Sequence, residues 1–239
     1  METKDFTVTP WEVRGNVDYE RLVREFGTAH VTQKQVDFLE RKAGRPHFML
    51  RRKIFFSQRD LDWFLAQSQK GPVALYTGRG PSGHTHIGHM MPWLFTRYLQ
   101  DAFDCPLYFQ MTDDEKFLFN DKLTREDTYN YALENALDVL AVVDPDKTKI
   151  IIDTKAAGKL YPVSLEIAKR LTYSTAKAIF GFGDSSNVGE IFFTSFQSVP
   201  AFLPSIEARE KKGAKGDEQV PVLIPATIEI GRASCRERV

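Results

Sequence analysis

The sequence predicts an α/β fold, in which a Rossmann-like parallel sheet with helices on both faces is preceded by a mainly helical N-terminal extension. Two observations carry this prediction. After residue 71, short apolar or β-branched runs alternate with stretches long enough to form helices, which is typical of buried parallel strands joined by helical crossovers. Before residue 71, apolar residues recur three and four positions apart, which is the period of an amphipathic helix.

Helical periodicity in the extension covers three segments, at residues 17–27, 31–44 and 57–71. The third segment opens with Ser57 and has Asp60 three positions later. This spacing is a variant of the capping box, so we expect the helix to begin there. A short extended segment is expected before the helices, around the stretch FTVTPWEV near the N-terminus.

The sheet and its connections follow from the pattern after residue 71. Turn residues bound four apolar runs, which are therefore predicted to be strands: 72–77, 105–112, 148–153 and 220–226. Three longer stretches between them are predicted to be helices: 86–103, 124–142 and 162–179. Residues 207–219 are polar and contain glycine, which favours an exposed loop.

Composition indicates a globular protein without a dominant charge. The 239 residues are 42% hydrophobic, enough for a sizeable core, and contain no run of eighteen apolar residues. No targeting peptide is recognisable, so we expect a cytoplasmic protein with no membrane partner. The 32 basic and 32 acidic residues argue against nucleic-acid binding through overall charge, and two cysteines exclude a disulfide framework or a thiolate metal cluster.

Three of the five histidines lie within six positions, at His84, His86 and His89, behind a loop that reads GRGPSG. This loop leaves the first predicted strand and opens a helix, so its backbone N–H groups and the helix dipole suit a phosphate. His86 and His89 share a helix face, and Gly88 has no side chain to block a flat ligand such as a purine. Two other interpretations stay open: the histidines cap the helix, or the H-x-H-x-x-H spacing binds zinc.

The motif His86-Ile87-Gly88-His89, in the order strand, loop and helix, resembles the HIGH signature of class I aminoacyl-tRNA synthetases. Residues 108–119 and 179–202 are similar to two later blocks of tryptophanyl-tRNA synthetases of the archaeal and eukaryotic type. The resemblance runs from about residue 11 to residue 228. It implies a tryptophan–tRNA ligase, which activates L-tryptophan with ATP and Mg²⁺ and transfers it to tRNA(Trp).

For ATP, the resemblance implies that His86 and His89 are catalytic residues, which stabilise charge at the α-phosphate while the tryptophan carboxylate attacks it. Residues of the loop and helix start are implied to contact ATP: Arg79, Gly80, His86, Gly88 and His89. No metal-binding residue is predicted.

For tryptophan, the resemblance implies five binding residues: Tyr76, Gln110, Glu115, Phe193 and Gln197. Tyr76 and Gln110 end the first two strands and are implied to recognise the indole N–H. Glu115 is implied to bind the ammonium group or to order its neighbours, Phe193 to form the pocket wall or part of the core, and Gln197 to contact the ammonium or carboxylate. Asp113 and Asp114 are interpreted as structural, since an ionised carboxylate substrate needs no general base.

Three regions are predicted: an N-terminal extension at 1–70, a class I catalytic domain at 71–228 that is incomplete at its C-terminal end, and a non-native tail at 229–239. The tail resembles nothing in the family and is interpreted as translated adapter sequence. The resemblance implies a KMSKS-type loop and an anticodon-binding domain beyond residue 228. We therefore expect a fragment with little or no ligase activity, from a family that forms homodimers.

Other functions stay open beside the ligase. A tyrosyl-tRNA synthetase shares the HIGH loop but is expected to differ at 111–116 and 181–189. Another nucleotidyl transferase with an H-x-G-H loop would leave the two later blocks unexplained. A non-catalytic fragment that binds tryptophan or a protein partner is the alternative from a different class.

Overall fold

The structure is a computed structural model that describes residues 27–212 and 219–226, with residues 7–8, 13–14, 20 and 23–24 before them. The predicted helix at 17–27 therefore lies mostly outside the described residues, and the predicted tail at 229–239 lies wholly outside them. No helix in the described parts of the chain is long and apolar enough to cross a membrane.

Within the described residues, the N-terminal region contains two short antiparallel strand pairs and, from residue 27 onwards, three helices. The strand pairs are β1 (Thr7–Val8) with β2 (Val13–Arg14), and β3 (Ala29–His30) with β4 (Ser57–Gln58). The helices are α1 (Gln33–Ala43), α2 (Phe48–Arg51) and α3 (Leu61–Gln67). The first strand pair confirms the extended segment that the sequence predicts near the N-terminus.

Local capping residues determine where helix α1 begins and ends. The Thr32 hydroxyl accepts a hydrogen bond from the Gln35 N–H at 3.3 Å, and the Gln35 side chain accepts one from the Thr32 N–H at 2.9 Å. This capping box satisfies two N–H groups at the helix start. Gly44 ends the helix with φ 68°, a left-handed conformation that glycine adopts without strain. The helix predicted at 31–44 is confirmed.

The predicted start of the third helix is wrong. Ser57 lies in β4, and Asp60 at the N-cap of α3 has φ 57° and makes no capping bond through its side chain. The side-chain oxygen of Gln58 accepts a hydrogen bond from the Leu61 N–H at 2.9 Å instead. Pairing with β3 holds Ser57 in a strand, so tertiary structure overrides the local capping signal.

Four parallel strands form the main sheet: β5 (Ala74–Arg79), β6 (Leu107–Met111), β7 (Thr148–Ile152) and β8 (Val222–Leu223). Their order is β7-β6-β5-β8. The sheet confirms all four predicted strands. The described residues of this part of the chain form seven α-helices: α4 (Ile87–Phe103), α5 (Asp113–Phe119), α6 (Arg125–Leu140), α7 (Asp153–Ala168), α8 (Tyr173–Phe180), α9 (Val188–Gln197) and α10 (Leu203–Lys212).

Alternate side chains of the strands enter two separate cores. On one face, Leu75, Leu107 and Phe109 pack with residues of α1, α2, α3, α4 and α6. On the other, Ala74, Tyr108 and Ile151 pack with residues of α7, α9 and α10. Successive strand residues point to opposite faces, so helices on both sides are needed to bury a sheet that is apolar on both. The predicted fold class is confirmed, and the helices of the extension share their core with the sheet.

The predicted helix at 162–179 is two helices, α7 and α8. Helix α7 begins at Asp153, directly after β7, and continues through Pro162, which the sequence suggested as a helix start. Burial of Leu160 beneath the sheet keeps the residues before Pro162 helical. The Thr172 hydroxyl accepts a hydrogen bond from the Thr175 N–H at 3.2 Å and thereby begins α8.

The polar segment predicted as a loop at 207–219 begins inside α10. Glu207 accepts hydrogen bonds from the Tyr108 hydroxyl at 2.6 Å and from Lys159 at 2.8 Å, and it also pairs with Lys149. These partners lie on the sheet and on α7, so the charged residue fastens α10 to the fold. Residues 213–218 lie outside the described residues.

Candidate active site

The predicted ligand-binding residues of the first two strands lie side by side at the carboxyl end of the sheet. Strands β5 and β6 are paired in parallel, with Gly78 opposite Gln110. Parallel pairing brings both carboxyl ends to one edge, which is where sheets of this kind bind ligands. The loop with the three histidines continues directly from β5, so both predicted subsites start from the same strand.

The loop ends in a helix start that His86 and His89 form together. Nδ1 of His86 accepts a hydrogen bond from the Gly88 N–H at 3.2 Å, and Nδ1 of His89 accepts one from the His86 N–H at 3.2 Å. The two rings stack with centroids 3.6 Å apart. The capping interpretation is therefore confirmed for this pair, and both rings lie at the positive end of a 17-residue helix, where an anion is favoured.

Helix α6 holds the loop at three points. The Asn135 side chain accepts a hydrogen bond from Nε of Arg79 at 3.0 Å and donates one to the Gly83 carbonyl at 3.1 Å. His84 lies 2.6 Å from Glu134, and the Thr85 hydroxyl donates to Asp138 at 2.5 Å. These contacts fix the position of Arg79 and of the loop backbone relative to the sheet.

The sequence alone did not point to the loop-holding residues of α6, although one signal was present. Asn135 is fully buried and shares its helix face with Ala132, Ala136 and Val139, which are also buried. An uncharged polar residue on an otherwise apolar helix face needs a hydrogen-bonding partner. The sequence could therefore indicate that Asn135 has a buried partner, but not that the partner is the loop.

His84 is directed away from the other two histidines, towards α6. Its Nδ1 faces Glu134, and its ring contacts the Tyr131 ring edge-on at 5.7 Å. Within the described residues, no group of three histidine, cysteine, aspartate or glutamate side chains is arranged to hold a metal ion.

Gly80 makes room for a buried ion pair next to the loop. A Cβ atom at Gly80 would lie 2.0 Å from Cε of Lys116 and 2.9 Å from Oε2 of Glu115. Nζ of Lys116 lies 2.6 Å from Oε1 of Glu115, and the Thr112 hydroxyl donates to Oε2 of Glu115 at 2.5 Å. A side chain at Gly80 would displace this pair, so Gly80 and Glu115, predicted in different subsites, lie in contact.

Tyr76, Gln110 and Gln197 meet at one hydroxyl group. The Tyr76 hydroxyl lies 2.6 Å from Oε1 of Gln110 and 2.9 Å from the Gln197 carbonyl oxygen. Burial, with the neighbouring Asp153 charge, raises the pKa of Tyr76, so the hydroxyl keeps its proton. A tyrosine hydroxyl has one proton to donate and can also accept, so this cluster presents oxygen acceptors to a donor such as an indole N–H.

A carboxyl pair lies behind Gln110. The Gln110 amide nitrogen donates to both oxygens of Asp153, at 3.0 and 2.8 Å, and Asp153 in turn hydrogen-bonds to Asp114. Burial raises the pKa of Asp114 to about 6. Burial and the neighbouring Asp114 carboxylate raise the pKa of Asp153 well above its ordinary value.

Helix α9 supplies the remaining predicted residues. Phe193 is 1% exposed and contacts the Phe119 ring edge-on at 6.4 Å. Gln197, the last residue of α9, reaches the Tyr76 hydroxyl with its backbone carbonyl. Phe193 therefore packs as a buried aromatic residue between α5 and α9. Asp113 is structural as interpreted, since its carboxylate accepts hydrogen bonds from the backbone and hydroxyl of Thr154 at the start of α7.

A cavity of about 840 Å³ lies elsewhere, between the helices of the extension and strand β8. Leu39, Phe64, Phe95 and Leu223 are among the residues that line it, and none of the predicted site residues does. Its lining therefore does not include the polar cluster at the ends of β5 and β6.

Comparison with known proteins shows the family. The family model described as "tRNA synthetases class I (W and Y)" matches residues 68–197, more than half of the chain. The chain belongs to this family of class I tRNA synthetases, whose letters denote tryptophan and tyrosine.

Two relatives and one solved structure illustrate the similarity, and each carries tryptophan in its name. The chain is 50% identical over 228 residues to the tryptophan–tRNA ligase of Pyrobaculum arsenaticum, in a match that covers 95% of this chain and 59% of the relative. It is 44% identical to the cytoplasmic tryptophan–tRNA ligase of Schizosaccharomyces pombe, covering 96% of this chain and 60% of the relative. The crystal structure of Plasmodium falciparum tryptophanyl-tRNA synthetase superposes with a TM-score of 0.78 at 37% identity, covering 87% of this chain and 58% of that one. The chain thus spans about 59% of the length of the first of these relatives.

Proposed function

We propose that this chain carries the tryptophan-activating site of a tryptophan–tRNA ligase. The observation that carries the proposal is the hydroxyl-centred cluster of Tyr76, Gln110 and the Gln197 carbonyl, next to a helix start formed by His86 and His89. The cluster around the Tyr76 hydroxyl suits an aromatic side chain with a single N–H donor, and the helix start suits a phosphate. The names of the relatives support tryptophan over tyrosine.

In the proposed reaction, the carboxylate of tryptophan attacks the α-phosphate of ATP, and pyrophosphate leaves. The chemistry needs positioning and charge stabilisation rather than a general base. His86 and His89, with the N–H groups at the start of α4, would stabilise the charge that builds on the phosphate oxygens, while Arg79, Gly80 and Gly88 would contact the rest of ATP. Mg²⁺ would accompany the phosphates of ATP.

Selectivity for tryptophan follows from unpaired acceptors. Tyr76 and Gln110 would accept a hydrogen bond from the indole N–H, and a phenylalanine ring would leave these buried groups without a partner. Glu115 would attract the ammonium group of the substrate, and the Gln197 side chain would contact its ammonium or carboxylate group. Phe193 would support the wall of the pocket.

The same proposal extends to the partners of the complete protein. Tryptophan would be transferred to tRNA(Trp) in the cytoplasm, the location named for the fission yeast relative, by an enzyme that acts as a homodimer. The regions at 1–70, 71–228 and 229–239 would be an extension, a catalytic domain and a non-native tail.

Calorimetric titration of the chain with L-tryptophan, L-tyrosine and L-phenylalanine tests this proposal, followed by ATP–pyrophosphate exchange with the amino acid that binds. We expect tryptophan to bind at least about 100-fold more tightly than phenylalanine. Preferential binding of tyrosine would replace the proposal with a tyrosine-specific enzyme. Tryptophan binding without exchange would agree with the expected fragment of a ligase, and absence of tryptophan binding would contradict the proposal.

A further inference from the structure

We infer that Asp153 is a positioning residue for recognition of the indole N–H. It fixes the side-chain amide of Gln110 so that the amide oxygen, and not the nitrogen, faces Tyr76. The inference rests on the proposed function and deepens it, because it assigns the selectivity to a residue that does not itself touch the substrate.

Strand pairing determines where Asp153 lies. Strands β6 and β7 are paired in parallel with Gln110 opposite Ile151, and Asp153 follows two positions later as the first residue of α7. Residues two positions apart in an extended segment point to the same side. Asp153 is fully buried, and both of its carboxyl oxygens accept hydrogen bonds from the Gln110 amide nitrogen, at 3.0 and 2.8 Å.

These two bonds select one of two orientations of the Gln110 amide. The oxygen and nitrogen ends of a glutamine amide have nearly the same shape, so packing alone distinguishes them poorly. Asp153 accepts hydrogen bonds at the oxygens that face Gln110, which forces the NH₂ end towards Asp153. The opposite end, Oε1, then lies 2.6 Å from the Tyr76 hydroxyl.

The orientation of the Gln110 amide matters because the Tyr76 hydroxyl has only one proton to donate. This hydroxyl lies within hydrogen-bond distance of two acceptors, Oε1 of Gln110 and the carbonyl of Gln197, but has one proton. An oxygen acceptor is therefore left over for an incoming N–H donor. If the Gln110 amide were reversed, its NH₂ group would take up the Tyr76 oxygen and would face the indole N–H with another donor.

The two neighbouring carboxylates have other contacts. Asp113 accepts hydrogen bonds from the Thr154 N–H and hydroxyl, and Asp114 accepts one from the Glu115 N–H at 2.8 Å. Asp113 is the first residue of α5, is about as deeply buried as Asp153 and caps the start of helix α7 through Thr154. A change at Asp113 therefore controls for loss of a buried carboxylate that caps α7 without contacting Gln110.

The test compares tryptophan with benzothienylalanine, an analogue in which sulfur replaces the indole N–H. Affinities are measured by calorimetry for the unmodified chain, for Asp153→Leu, which has a similar shape but no hydrogen-bond acceptor, and for the control Asp113→Leu. We expect the unmodified chain to prefer tryptophan by about 10- to 100-fold, the typical range for a buried hydrogen-bonding group left unpaired. Asp153→Leu should lose most of this preference by weakening tryptophan alone, and Asp113→Leu should keep it. Equal weakening of both ligands by Asp153→Leu would overturn the inference, because a purely structural role predicts that result.

A second measurement needs no change at Asp153 and applies even if Asp153→Leu fails to fold. The side-chain NH₂ signals of Gln110 in the unmodified chain can be assigned by their loss in Gln110→Met. We expect hydrogen exchange of the proton that faces Asp153 to be at least about 100-fold slower than that of exposed glutamines, since this proton would have to leave a buried carboxyl group. Exchange at the exposed rate would contradict the inference. Failure of the unmodified chain to bind tryptophan at all would instead refute the proposed function, and the inference with it.

Discussion

His86 makes a structural contact and is proposed to make a chemical one, and the geometry allows the two to be separated. Its Nδ1 caps helix α4 through the Gly88 N–H, while its ring stacks on that of His89 at the positive end of the helix. Asparagine is also a good N-cap, because its side-chain oxygen accepts from the same backbone groups. Asparagine has no imidazole ring for a phosphate, so it can replace only the structural contact.

Two substitutions at His86 should therefore differ in stability but agree in ATP affinity. His86→Ala should lower the free energy of unfolding by about 1 kcal/mol, and His86→Asn should restore most of that loss. Both should weaken ATP binding about tenfold or more, because the ring that we propose to face the phosphate is gone. Urea denaturation and calorimetric ATP titration measure the two effects. If His86→Asn recovered ATP affinity together with stability, His86 would be a helix cap only.

Among the secondary-structure elements, α6 determines where the loop lies. Three of its side chains hold the segment between β5 and α4, and Asn135 contributes two of the contacts. The loop has few apolar residues of its own to bury, so these polar contacts replace a hydrophobic anchor. Loss of Asn135 would leave the Gly83 carbonyl and the Arg79 guanidinium without this partner.

Asn135→Ala should weaken ATP binding about tenfold and change tryptophan affinity less than twofold, because the loop and not the sheet end loses its support. Stability should fall by about 2 kcal/mol, the cost of removing a buried, doubly bonded side chain. Asn130→Ala, an exposed position of the same helix, is the matched control and should change neither affinity. An equal loss of affinity for ATP and tryptophan in Asn135→Ala would indicate general unfolding of the site.

Ion pairs of Glu207 hold helix α10 against the sheet, and their contribution to stability should depend on pH. Although partial burial acts in the opposite direction, hydrogen bonds from Lys149, Lys159 and Tyr108 lower the pKa of Glu207 to about 2. A depressed pKa means that the folded state favours the ionised form, so this stabilisation is present above about pH 4.5 and is lost as the pH falls towards 2.

Glu207→Gln should thus destabilise the chain at pH 7 by about 1 kcal/mol, a value kept low because both lysines are half exposed to solvent. The difference between the variant and the unmodified chain should shrink as the pH is lowered from 5 towards 3. Urea denaturation at several pH values measures it. A difference that did not change with pH would show that packing, and not charge, fastens α10.

For the molecule as a whole, local sequence patterns predicted most helices and strands. The positions of the site residues depend on contacts between residues far apart in the sequence. The four strands and α4 could be predicted because apolar runs and capping residues are local features of the chain. Asn135 and Asp153 could not be assigned, since their partners Arg79 and Gln110 lie 56 and 43 positions away in sequence. The predicted helix began at residue 162, whereas α7 begins at Asp153, because Leu160 packs in the core against the sheet and the helix therefore extends back to β7.

The predicted binding residues depend on this assembly even though they were found by resemblance. Tyr76 and Gln110 come from adjacent strands, and Gln197 comes from a helix 121 positions beyond Tyr76. The fold brings all three to one hydroxyl group. Their convergence at the carboxyl end of the sheet links the sequence pattern to a site suited to a single N–H donor.

A crystal structure of the chain with L-tryptophan tests the central claim most directly. The indole nitrogen should lie within hydrogen-bond distance, about 3 Å, of the Tyr76 hydroxyl or of Oε1 of Gln110. The amide nitrogen of Gln110 should remain on Asp153. An indole bound in the 840 Å³ cavity between the extension and β8, with the Tyr76 hydroxyl still bonded only to Gln110 and Gln197, would contradict the account.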